Sequence, residues 1–179
     1  MPKFPLGDIT PCVVIWDYGV GGGFVNLRLD PVKGLVKLPV EDQAADVEEE
    51  TYGDAAVDSV FRGTKCGPFE VPMTRSTLAQ LDGILPGTTL LTANEVVFWN
   101  KCGSAMFEQA KAICIKPVRD GVVSVTKTEW ALIYKAFPMR AFEIPWDRGT
   151  QKVFLVKFKL FPRTDSGYEG RFFQLGIAP

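Results

Sequence analysis

Gln151-Lys-Val-Phe-Leu-Val-Lys-Phe-Lys-Leu-Phe161 puts Phe154, Val156, Phe158 and Leu160 on one side of an extended chain, with Lys157 and Lys159 on the other. That alternation marks a strand with one buried face. The run exceeds the usual length of about five or six residues, as expected of a strand built into a large sheet. Upstream, Val123-Ser-Val-Thr-Lys-Thr-Glu-Trp-Ala-Leu-Ile-Tyr-Lys-Ala-Phe137 is rich in β-branched and aromatic residues. It is expected to be a single long strand carrying Lys127 and Glu129. Arg171-Phe-Phe-Gln-Leu-Gly-Ile177 closes the β-rich third with a short strand.

The first third also reads as strands. Pro11-Cys-Val-Val-Ile-Trp-Asp17 is a short apolar run, Phe24-Val-Asn-Leu-Arg-Leu-Asp30 alternates cleanly, and Val36, Leu38 and Val40 share a face. Val57-Asp-Ser-Val-Phe-Arg62 and Pro68-Phe-Glu-Val-Pro-Met73 look like short strands around a turn at Gly63-Thr-Lys-Cys-Gly67. One helix stands out. Thr74 or Ser76 can cap it, Leu78, Leu81, Ile84 and Leu85 form its apolar stripe, and Gly83 and Pro86-Gly87 stop it. Such a short helix must pack its stripe on a sheet. A second helical turn is a candidate around Ser104 to Ala112. The expected class is mainly β with one packed helix.

Charge is unevenly distributed. Between Pro39 and Phe61 lie Glu41, Asp42, Asp46, Glu48, Glu49, Glu50, Asp54 and Asp58, with no basic residue among them. The whole chain carries a net charge of −1, so the remainder holds 20 basic against 13 acidic residues. A negative extension on a mildly positive body favours contact between copies of the chain. The block suits a solvated loop, a narrow ribbon, or an arm docked on another subunit. It lacks the alternating ligands, central glycine and closing glutamate of a calcium loop.

Composition narrows the function classes. Histidine is absent, which removes His-based triads, the usual neutral-pH base and the commonest metal ligand. Cys12, Cys66, Cys102 and Cys114 form no C-x-x-C pair and read as reduced thiols without a metal. Gly19-Val-Gly-Gly-Gly23 precedes an alternating strand and no Lys-Ser/Thr pair, so it reads as a hairpin loop rather than a phosphate cradle. No apolar run approaches the roughly 18 residues of a membrane span. Met1-Pro-Lys-Phe-Pro-Leu-Gly-Asp8 lacks the apolar core of a secretory signal, so synthesis in a cytosol is expected. A non-enzyme without cofactor follows as the expectation.

The order of these pieces resembles the tail tube (major tail) proteins of long-tailed bacteriophages. The pieces are the early strand pair, the acidic loop, Ala56-Val-Asp-Ser-Val-Phe-Arg-Gly63, Met73-Thr-Arg-Ser-Thr-Leu-Ala-Gln-Leu81, Gln151 to Pro162, and Phe173-Gln-Leu-Gly176. The resemblance covers most of the chain, and no single piece of it is specific. It implies one domain over residues 1–179, a β-sandwich with a flanking short helix and a long acidic loop. Residues 1–10 and 170–179 would be arms and residues 41–58 an inter-ring loop.

It further implies hexameric rings, in which each subunit gives strands to one ring-wide β-barrel carrying Lys127, Glu129, Lys157 and Lys159. The rings would stack into a tube assembled in the host cytoplasm and placed in the virion tail. A tape-measure protein and then double-stranded DNA would occupy the lumen, and tail terminator and tail-tip proteins would close the ends. DNA favours a negative channel wall, so Lys157 and Lys159 are expected to pair with carboxylates such as Glu129 or Glu143, or to face a neighbouring subunit. Other ring components (a terminator, a connector or a decoration protein) share this description. A β-platform that stacks nucleic acid on Phe and Trp is a more distant alternative, and a hydrolase with paired carboxylates more distant still.

Overall fold

The computed structural model describes residues 11–20, 23–29, 36–48, 56–73, 77–92, 94–99, 103–139 and 154–176. Among the described residues the chain is mainly β with one α-helix, organised around a curled, half-barrel sheet. The strands are β1 (Cys12–Trp16), β2 (Leu27–Leu29), β3 (Val40–Glu48), β4 (Ala56–Cys66), β5 (Phe69–Met73), β6 (Thr88–Thr92), β7 (Glu95–Phe98), β8 (Lys111–Arg119), β9 (Val122–Val123), β10 (Ala131–Met139), β11 (Phe154–Leu160) and β12 (Phe173–Leu175). The helix α1 is Leu78–Ile84. The large sheet runs β2-β1-β8-β10-β11-β5, with β12 beside β10 and β9 beside β8; β3-β4 and β6-β7 are separate pairs.

Alternation builds the core. Val14, Trp16, Leu29, Phe69, Val71, Met73, Ile113, Ile133, Val156 and Phe158 all lie within one buried cluster. Phe158, near the end of β11, meets Trp16 at 5.3 Å and Phe69 at 5.9 Å between ring centres. Helix α1 is tied to this cluster by Ile84 and by the Trp16 indole, which donates to the Gly83 carbonyl at 3.1 Å. Leu81, Ile84 and Leu85 are buried and Leu78 half-buried. The N-cap is Thr77 rather than Thr74 or Ser76, which lie outside the described residues. Thr77 and Gln80 form a reciprocal capping box, which satisfies two amide donors at once.

The structure differs from the sequence reading in four places. The run from Val123 to Phe137 is not one strand. Its Ser124 hydroxyl donates to Glu129 at 2.7 Å and accepts from the Thr126 amide, a local alternative to the ladder. Lys127–Glu129 therefore forms a 3-10 turn, and neither Lys127 nor Glu129 is a strand residue. Second, Gly63 to Gly67 is not a hairpin turn: β4 runs through to Cys66 and pairs with β3, while β5 pairs with β11. Third, the candidate helix at Ser104 to Ala112 is a turn that leads into β8, whose far end reverses at Asp120-Gly121 (φ 50° and 77°) into β9. Fourth, of the forms open to the acidic block, its described length takes the narrow ribbon rather than the loop, because residues 40–48 and 56–58 are strand.

Candidate functional site

The ribbon β3–β4 stands apart from the sheet. Its root is fixed: Lys37 exchanges backbone hydrogen bonds with Glu70 on the outer edge of β5 (3.3 and 3.1 Å), and the Gly67 amide donates to Pro39 at 2.9 Å. Beyond that root, β3 and β4 pair only with each other among the described residues. Register runs from Val40 opposite Cys66, through Ala44 opposite Phe61, to Glu48 opposite Ala56. A bulge leaves Arg62 unmatched, and Gly63 supplies the φ of 141° beside it.

Both faces of the ribbon meet solvent. Among residues 40–46 and 58–66, none is buried. Phe61 is 62% exposed and Val60, on the opposite face, 54%. An isolated two-stranded hairpin is at best marginally stable in water, and here it carries two large apolar side chains outward.

Carboxylates surround them. Asp42 accepts from the Thr64 hydroxyl at 2.9 Å and Asp46 from the Ser59 hydroxyl at 2.7 Å, both across the strands on the face that bears Phe61. Glu41 lies opposite Lys65, and Asp58 opposite Val47. Glu48 occupies the last described position of β3, while Glu49, Glu50 and Asp54 lie outside the described residues.

Where the ribbon meets the sheet there is a groove of about 510 Å³. Cys66, Leu160, Pro162 and Phe172 give it apolar walls, and Lys65 and Lys159 line it as well. Lys159 is exposed, its ammonium 5.6 Å from the Phe161 ring. Lys157 meets a carboxylate, as expected, though not one of the two named. It pairs with Glu70 at 3.2 Å on the neighbouring strand β5, whereas Glu129 pairs with Arg119 at 3.0 Å. Glu143 lies outside the described residues.

The other charged clusters are engaged within the fold. Asp17, 5% exposed, accepts from Lys111 at 2.7 Å and from the Val25 amide, which fixes the β1–β2 connection. Lys116 sits 3.7 Å from the Trp130 ring centre, and Lys135 sits 4.0 Å from that of Phe107. Arg163 lies between Tyr134 and Tyr168 while paired with Asp165 at 2.6 Å. These cations are directed onto the chain's own rings and carboxylates, which disfavours an open basic groove with free aromatic platforms.

Among the described residues, no group of three or more Cys, Asp or Glu is placed to hold a metal ion. No helix among them is long and apolar enough to cross a membrane. Burial pushes the Cys114 thiol up to about 11, and burial followed by the nearby Asp42 charge raises Cys66. Raised thiols are poor nucleophiles near neutral pH.

Sequence reasoning located the acidic residues but overlooked Val60, Phe61 and the groove. The signal was present: Val60-Phe61 follows the carboxylate block directly, and it could be seen as exposed only once its partner strand proved to be acidic. Comparison with family models, with curated proteins and with solved structures finds no match.

Proposed function

We propose that this chain is a structural subunit whose ribbon joins it to further copies of itself, in the manner of a phage tail tube protein. The observation that carries this reading is a hairpin of 9 and 11 residues with no buried described side chain, rooted on the edge of a well-packed sheet. Burying Phe61 and Val60 against another molecule is worth about 1.5–3 kcal/mol for each side chain. Among the described residues, no comparable gain is available to the ribbon inside one chain.

In this reading the curled half-barrel sheet is one segment of a ring-wide barrel, six copies complete the ring, and packing between segments gives the sandwich. The acidic ribbon then bridges to the next ring. That contact joins two different surfaces, so it repeats into a tube rather than closing as a dimer. The lumen would hold a tape-measure protein and then DNA. A terminator or connector ring would use the same parts in fewer copies, and staining a gel of purified virions distinguishes abundant tube subunit from scarce terminator.

Electron microscopy and sedimentation of the purified full chain test the reading. Tubes or stacked rings are expected, and deletion of residues 43–52 should leave a folded protein that no longer stacks. A wild-type chain that remains monomeric at high concentration and across salt conditions contradicts it.

A further inference from the structure

We infer that Phe61 of one copy seats in the groove at the ribbon root of another, so that each chain carries both halves of a repeating contact. This deepens the assembly reading above and rests on it. On the ribbon, Phe61 is 62% exposed, and the pair formed by Asp46 and Ser59 is the next on its face toward the tip. In the groove, Cys66, Leu160, Pro162 and Phe172 form apolar walls, with Lys65 and Lys159 among them. An aromatic side chain flanked by carboxylate thus faces an apolar slot with Lys159 on its sheet side, while Lys65, opposite Glu41, lies on its ribbon side. The volume of about 510 Å³ is ample for one phenyl ring and the backbone that carries it.

The two halves cannot meet within one chain. Phe61 and Cys66 belong to the same strand, and five residues of strand span about 16 Å. A second copy must therefore fill the slot. Because the donor and the acceptor differ, each added chain exposes a fresh groove or a fresh ribbon, and the contact propagates. Charge favours this occupant: the described ribbon carries Glu41, Asp42, Asp46 and Asp58 against Arg62 and Lys65, and the exposed Lys159 on the sheet side of the slot attracts that acidic excess.

Disulfide trapping tests this directly. A chain bearing Phe61→Cys and Cys66→Ala is mixed with wild type and oxidised under conditions in which wild type assembles. The expected product is a covalent pair containing one chain of each kind, lost when the wild-type partner is replaced by Cys66→Ala. The bridge demands Cα atoms within about 7 Å, so it reports seating rather than loose proximity. In parallel, Phe61→Ala should raise the concentration needed for assembly at least ten-fold, and Lys159→Glu should do so by a smaller factor. If wild type assembles but no mixed pair forms and Phe61→Ala assembles like wild type, the Phe61 contact is wrong and the assembly reading stands. If wild type does not assemble at all, both fall.

Discussion

The curled sheet and the ribbon are made of strands of similar length in one chain, yet they are stabilised by different means. In the sheet, every second side chain is apolar and buried: Val14, Ile113, Ile133, Val156 and Phe158 share a single cluster. In the ribbon, alternation gives Asp42, Ala44 and Asp46 on one face and Glu41, Gln43 and Ala45 on the other, so neither face has a core. The sheet is self-sufficient because hydrophobic burial offsets the entropy of ordering its residues. The ribbon has hydrogen bonds and little else. In the proposed reading, this region that keeps regular structure without a core has its burial completed by another copy of the chain.

Mutations should separate the two regions, beginning with the largest effect. Phe158→Ala removes the ring that meets Trp16 and Phe69 and should cost about 3–5 kcal/mol in urea unfolding of the unassembled chain. Phe61→Ala in the same assay should stay within about 0.5 kcal/mol, while assembly demands a markedly higher concentration. Equal losses at the two positions would mean that the ribbon packs within its own chain.

A pH series is the next largest. The Cys114 thiol titrates near 9 when solvated and is pushed up to about 11 in the fold, mainly by burial. Above pH 9 the unfolded chain ionises while the folded one keeps its proton, so stability falls as pH rises from about 9 to about 11. The loss is on the order of 2–3 kcal/mol, and none is expected from this group below pH 9. Cys114→Ala should flatten the slope seen in thermal melts over that range. An unchanged slope would remove burial of this thiol as its cause.

Lys111→Met leaves Asp17 buried without its ammonium partner and should cost about 1–3 kcal/mol by chemical denaturation. The smallest stability effect belongs to the ribbon. Asp46→Lys should alter folding by less than about 0.5 kcal/mol, since its partner Ser59 is exposed. It should nonetheless impair polymer yield, as should high salt with the wild type. Turbidity or sedimentation indifferent to both would show that charge does not join the copies.

Much of the sheet was legible in the letters because its signal is local. Val156 to Leu160 alternates strictly, and the helix stripe with its Pro86-Gly87 stop is self-contained, although Gly83, expected to help stop the helix, lies inside it and Leu85 is the C-cap. The errors arose where local chemistry competes with the ladder. Ser124 draws Glu129 and Thr126 into a turn and divides an apparently continuous strand. Gly63 looks like a turn but is a bulge, because its partner Gln43 is remote in sequence. The carboxylates of the candidate site were visible as a charge run. The groove was not, since Cys66, Leu160 and Phe172 meet only after three separate segments converge.

Hydrogen exchange of the amides in residues 40–48 and 56–66 tests the central claim most directly, measured at a dilution that holds the chain as single copies and again after assembly. The account predicts that these amides exchange far faster than those of β8, β10 and β11 in the dilute chain and become protected on assembly. Ribbon amides as protected as the sheet at every dilution would show that the ribbon already has its full complement of contacts, and would contradict it.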